Sequence, residues 1–509
     1  MSFQEEIKEA YSFKGDSVLM GCAMVEKSAV DGHQVAIPLS TLNRHGLIAG
    51  ATGTGKTKSL QILVEGLSDA SVPCMVMDIK GDLSGLGAMG TTNEHIEKRA
   101  NHIGITYQPS AYPLEFLSLS EQPGTRLKAT VSEFGPVLLS KILDLNDTQE
   151  GIVSMIFKYC DDNQLPILDL KDFIRVLQFI TNEGKEELKQ QYGNVSSQSV
   201  GTILRKVIGL QQQGADGFFG EKSFEVDDLM RMSDDGRGMI SVLRVMDMQD
   251  RPKLFSTFML QLLAELYGSL PEAGDADRPK LCLFIDEAHL VFQDASKVLL
   301  EQIETVIKLI RSKGVGIFFI TQSPSDVPPS VLGQLGLKIQ HALRAFTAKD
   351  RKDIKLAAQN FPISEQYDID ELLTQMGIGE AFVTCLNEKG IPTPLVHTLM
   401  RGPNSRMDVL SEGEVSAVVN ASKLSAKYNT PIDSESAYEM LNAKLEEAAE
   451  EEKEAPKKKK ASRAKKEKGT LETVLSNPVA RQAGRTAAGI LTRTLLGALG
   501  LGGRSRKLF

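Results

Sequence analysis

Two rhythms of apolar and polar positions run along this chain: short unbroken apolar runs, and stretches where apolar residues return every three or four positions. The first read as strands, the second as helices. Strand-like stretches at 17–24 and 33–38 come first. Gly46–Ala49 then runs straight into a glycine-rich loop and a helix over about 56–68. Further strands are expected at Cys74–Asp78, 103–107, 114–116, 239–245, 280–285, Val315–Thr321, 338–346, 381–385 and 394–398, with helices over 253–267, about 295–313 and from about 349. The run at 280–285 is apolar enough for a central strand buried on both faces. Strands alternating with helices imply an α/β doubly wound sheet. Between them, helical spacing at Val137, Leu138, Ile142, Leu143 and again at Phe173, Ile174, Leu177 predicts a mainly helical insertion at about 125–235.

The pattern changes after Arg401. Residues 441–470 form a charge block, glutamates first and lysines after. It buries too little apolar surface to fold alone and reads as a linker that admits partial helicity. Residues 471–509 regain helical spacing, with Arg481, Arg485 and Arg493 interleaved among Leu491, Leu495, Leu496 and Leu499, and end in a basic tail. A helix docking on a neighbouring subunit is the favoured reading of this segment. A lysine-rich arm on DNA and peripheral membrane contact are the alternatives.

Composition narrows the class. The 509 residues are 41% hydrophobic and 24% charged, with no tryptophan. The N-terminus lacks the basic and apolar regions of a signal peptide, and no apolar run approaches the roughly 20 residues that span a bilayer, so a cytoplasmic protein is expected. Five isolated cysteines without a CxxC pair, and seven histidines without metal-ligand spacing, point to buried thiols and to no structural metal. The net charge of −8 hides an asymmetry: the region from Leu445 onward carries roughly +7, leaving roughly −15 on the body. An acidic body argues against a broad nucleic-acid-binding face, although a ring can present a basic channel from a few residues.

The chemistry begins at Gly50-Ala51-Thr52-Gly53-Thr54-Gly55-Lys56-Thr57, which fits GxxxxGK[ST] between a strand and a helix. The glycines let successive N–H groups point at phosphate oxygens, and the helix presents its positive end. Lys56 is then expected to reach the β- and γ-phosphates of ATP, and Thr57 to ligate Mg2+. Asp286-Glu287 follow the apolar strand at 280–285, which places Asp286 near the magnesium and Glu287 where it can orient or deprotonate the attacking water. At the end of Val315–Thr321, Gln322 is positioned to sense the γ-phosphate. The string at 286–289, DEAH, suggests two-core helicases, but the gap from Lys56 to Asp286 is far too long for them and a second core with an arginine motif is not found. Asp78, Lys80, Gly81 and Asp82 end the second strand on the same sheet edge, where they can touch the nucleotide site or couple it to a pore; for Asp82 a helix cap is the equal alternative.

The order phosphate loop, acidic strand tip, helix, polar strand tip is that of RecA- and FtsK-like motors. With GLIAGATGTGKTKSL, MDIKGDLSGL, FFGEKSF, LFIDEAH, RSKGVGIFFITQSPSDVP and ALRAFTAKD spread over about 46–350, the chain resembles the HerA/FtsK superfamily, most closely the bacterial HerA-like family typified by YjgR. The resemblance implies a RecA-like ATPase domain at 46–400, following a short β-rich segment at 1–45 and followed by an extension at 401–440. It further implies a homo-oligomer, a hexameric ring that uses ATP to move along DNA, with Arg311 or Arg344 completing a neighbour's site. HerA proper carries a substantial N-terminal β-barrel that contacts a nuclease partner. Only about 45 residues precede the loop here, so that partnership is not carried over. A motor acting on protein or membrane partners and a nucleotide-gated scaffold are the rival readings.

Overall fold

An unbroken apolar strand has no face to give to water, and Gly46–Ala49, Leu281–Ile285 and Val315–Thr321 are buried along their whole length. The structure, a computed structural model, describes residues 2–458 except 27, 249–250, 275, 293–296, 431 and 433. The end of the expected linker and the basic helix at 471–509 lie outside the described residues.

In chain order the strands are β1 (Ser17–Val25), β2 (Ser28–Pro38), β3 (Gly46–Ala49), β4 (Cys74–Asp78), β5 (Leu114–Ser118), β6 (Thr125–Arg126), β7 (Ile240–Arg244), β8 (Leu281–Ile285), β9 (Val315–Thr321), β10 (Leu337–His341), β11 (Glu380–Thr384) and β12 (Val396–Met400). They form one twelve-stranded sheet in the order β2-β1-β12-β11-β10-β3-β9-β8-β4-β7-β5-β6. From β10 to β6 all neighbours are parallel, and β11, β12, β1 and β2 extend the sheet antiparallel. This is the α/β class read from the alternation. Phe284 and Phe318 stack at 4.7 Å in the core between β8 and β9, joined by Ile48, Leu63 and Val76.

The chain divides into two compact units. One comprises 1–127 and 225–430, with all the strands; the other, among the described residues, comprises 128–224 and 432–458. In the second, helices Val131–Ile142, Asp147–Asp162, Leu170–Thr181, Lys185–Tyr192 and Ser197–Gln212 are joined by Ala437–Lys458, which takes in the acidic half of the charge block. Buried Asp172 ties this last helix in, accepting the Ser436 hydroxyl (2.5 Å) and the Tyr438 N–H (3.1 Å).

Some expected elements differ. The alternation of Ile103, Ile105 and Tyr107 suggests a strand, but Ile103 ends the helix Glu94–Ile103, which Asn93 caps and Gly104, at φ 75°, stops. The strand expected over 338–346 ends at His341, because the backbone beyond it turns to other partners: Ala342 O accepts the Ala51 N–H, and Leu343 N–H donates to Leu373 O. The N-terminal segment also contains the helix Phe3–Ala10, closed by a Ser2–Glu5 capping box. Among the described residues no helix is long and apolar enough to cross a membrane.

For the site, the sheet order matters most. β3, β9, β8 and β4 are parallel neighbours, so the chain leaving each of them emerges at one edge.

Candidate functional site

β3 delivers the glycine-rich loop. Gly50 adopts φ 154°, and a Cβ there would lie 2.5 Å from His341 Cβ, so the position admits only glycine. Ala51 N–H donates to Ala342 O (2.8 Å), the Thr54 hydroxyl to Ala51 O (2.7 Å) and Gly379 N–H to Thr54 O (3.0 Å). Thr52 and Gly53 are exposed at the tip. Gly55 begins the helix Lys56–Asp69, whose own first turn carries no acidic residue, so its positive end is directed at the loop. Lys56 is buried and donates to Gly50 O (2.6 Å) and Ala51 O (3.1 Å). Burial, then the charge of Lys80, lowers its pKa, against the pull of Glu287, Asp286 and Asp82.

β8 delivers Asp286 and Glu287, both buried. Burial pushes Asp286 up to about 6, with Lys80 opposing and the Glu287 charge adding. Burial works against ionisation of Glu287 too. The hydrogen bond and charge of Lys80 outweigh it, with His289 and Gln322 assisting, and hold this carboxyl below its usual range. Glu287 has φ 46°, a backbone conformation that costs a non-glycine residue on the order of 1 kcal/mol and recurs at functional sites.

β4 delivers the third side. Asp78 accepts the N–H groups of Gly81, Asp82 and Leu83 (2.7–3.2 Å) and so builds a tight turn. From it Lys80 Nζ reaches Glu287 Oε1 at 2.5 Å and Asp286 Oδ2 at 3.9 Å. Asp82 Oδ2 accepts the Thr57 hydroxyl at 3.2 Å, so this carboxylate faces the phosphate loop. β9 delivers Gln322, exposed at the strand tip, after Thr321, whose hydroxyl is fixed by Asp326.

The arginines lie apart. Arg311 sits just before the amino end of β9, beside His45, the residue preceding β3, at the opposite end of the sheet from the loop. Arg344 is exposed on the loop side, two residues past Ala342, and donates to Thr374 O (3.3 Å). Neither joins the site of its own chain.

Asp82 Oδ1 and Glu287 Oε2 are buried without a hydrogen-bond donor. Asp82, with the Thr57 hydroxyl and Asp286, supplies hard oxygen ligands of the kind Mg2+ takes, usually one or two carboxylates plus phosphate and water, so these residues fit the ion and leave Glu287 Oε2 to a different partner. Among the described residues no cluster of three or more His, Cys, Asp or Glu is poised to hold a metal by itself; an ion here would draw on the nucleotide and water.

One element of the site left little trace in the sequence. His341, from β10, packs over Gly50 and bonds Ser59 Oγ (2.9 Å) and Glu380 O (2.9 Å). Burial lowers its pKa to about 4, so it braces the loop as a neutral ring. Its only signal is a histidine at the end of the strand Leu337–His341, where apolar and polar residues alternate.

The Helicase HerA-like C-terminal family matches residues 24–506. Among curated proteins, the chain is 22% identical over 380 residues to the DNA double-strand break repair helicase HerA of Saccharolobus solfataricus, covering 74% of this chain and 68% of that one. It is 23% identical over 352 residues to the protein of the same name from Sulfurisphaera tokodaii, covering 69% and 64%. The chain thus spans about two thirds of the length of these relatives. Among solved structures, the bacterial conjugative coupling protein TrwBdeltaN70 superposes with a TM-score of 0.52 at 14% identity, over 80% of this chain and 94% of that one. TrwB in complex with ADP and Mg2+ gives 0.50 at 14%, over 81% and 95%. These likenesses show a shared RecA-like P-loop fold.

Proposed function

Because the chain belongs to the Helicase HerA-like C-terminal family, we propose that it is an ATP-driven motor whose track is DNA and whose working form is a ring of identical subunits. The observation that carries this reading is the meeting of Gly50–Thr57, Asp286–Glu287 and the Lys80–Asp82 turn at one sheet edge. In this reading residues 46–400 carry the ATPase. The loop N–H groups and Lys56 hold the phosphates, and Thr57 and Asp286 hold Mg2+, which when bound neutralises phosphate charge. Glu287 orients the attacking water and takes its proton, while Gln322 reports the γ-phosphate. The HerA names of the relatives support DNA as the track.

The test is ATP hydrolysis by purified protein with and without double-stranded DNA. Several-fold stimulation by DNA is expected. Hydrolysis indifferent to DNA would move the search to protein or membrane partners, and slow turnover with tight ATP retention would point to a scaffold.

An arginine supplied by the next subunit would stabilise charge on the transferring phosphoryl group. Replacing Arg311 or Arg344 by Ala is expected, for one of the two, to lower turnover by about tenfold or more with ATP binding kept. If both variants turn over normally, neither side chain acts in trans.

A further inference from the structure

Lys80 belongs to neither the phosphate-loop motif nor the acidic strand, yet it sits where they meet. β4 lies beside β8, with Met77 opposite Ile285, so the residues following both strands share one edge. Gly81, at φ 77°, turns the chain, and Met246 Sδ lies 2.5 Å from where a Cβ would go. With Asp78 gripping three successive N–H groups, the turn is held from both sides. It sends Lys80 to Glu287 and Asp82 to Thr57, one residue to each half of the site.

The two oxygens of the Glu287 carboxylate therefore differ. Oε1 is 2.5 Å from the Lys80 ammonium. Oε2 is buried and accepts no hydrogen bond, with His289 Nδ1 3.3 Å away. A buried carboxylate beside a second one, with no cation, is costly to keep charged and in place.

We propose that Lys80 is a positioning residue for Glu287, holding Oε1 so that Oε2 faces the attacking water. The proposal rests on Glu287 being the proton acceptor. In the step it serves, the water oxygen bonds to the γ-phosphorus as the bond from that phosphorus to the ADP oxygen breaks. The bonding pair leaves with ADP, and the water proton passes to Oε2. Lys80 acts only through Glu287.

The experiment compares phosphate release and binding of a fluorescent ATP analogue in the wild type, Lys80→Ala, Lys80→Arg, Glu287→Gln and the Lys80→Ala/Glu287→Gln double variant. Thermal unfolding serves as the folding check. Lys80→Ala is expected to lower kcat by on the order of 30-fold, with KM and analogue affinity within about threefold. Lys80→Arg, which keeps the cation, should recover most of the rate. The double variant should be no slower than Glu287→Gln alone, since both changes disable one device. An unchanged or faster Lys80→Ala enzyme would overturn the proposal, as would a parallel loss of nucleotide affinity, which marks a phosphate contact, or an additive fall in the double variant. If Glu287→Gln hydrolyses ATP like the wild type, the role of Glu287 itself is wrong. A normal Lys80→Ala enzyme beside an inactive Glu287→Gln condemns only the role of Lys80.

Discussion

Glu287→Gln is expected to slow ATP hydrolysis by on the order of a thousandfold while ATP affinity stays within about threefold of wild type. The substitution keeps the shape of a buried side chain and leaves a carbonyl oxygen able to accept from Lys80, so the fold and the phosphate loop are not disturbed. What it removes is the negative charge that attracts the water proton. The oxygen most directly affected is Oε2, which is buried and without a donor, the state expected of a group whose partner arrives with the substrate. Phosphate release at saturating ATP, paired with titration of a fluorescent analogue, separates rate from binding. Turnover within tenfold of wild type would mean that another group activates the water.

Lys56→Ala attacks the other half of the site and should show itself in binding. Its ammonium donates to two loop carbonyls and is the cation best placed to exchange them for phosphate oxygens. Charge-assisted bonds of this kind are the strong ones, so ATP affinity should fall by about 100-fold or more, roughly 2.7 kcal/mol. The loop itself should keep its shape. Its backbone is held by Ala342, Gly379 and its own Thr54, and His341 closes over Gly50, none of which requires Lys56. Thermal unfolding makes the comparison clean. ATP at about 100 times its Kd stabilises the wild type by about 2.7 kcal/mol, while the variant should unfold almost as if no nucleotide were added. Equal stabilisation of the two proteins would remove Lys56 from phosphate binding.

How much of this could be read beforehand depended on whether the information was local. Gly46–Ala49, the loop and the helix after it are contiguous, and each part constrains the next, so the structure follows the sequence almost residue for residue there. The acidic and polar strand tips were legible for the same reason. What the sequence does not state is which strands are neighbours. β4 lies next to β8, far away in the chain, and only that adjacency brings Lys80 to Glu287. His341 is a similar case, since β10 joins β3 across nearly 300 intervening positions. The misread strand at 103–107 was a contest between a local alternation and helix-ending signals, an Asn cap and a glycine at positive φ, and the signals with a hydrogen-bonding consequence won.

The pairing of β1 with β12 sets a timetable for synthesis. Ala23 finds its partner only when Thr398 has been made. At about 5–20 residues per second, the β1–β2 hairpin waits tens of seconds on the ribosome with one edge unsatisfied. An edge of that kind is the surface most apt to pair with the wrong chain. The nascent protein is therefore most exposed to misassembly before β12 emerges, and a chaperone that covers β1 during that interval should raise the yield of folded protein more than one acting after release.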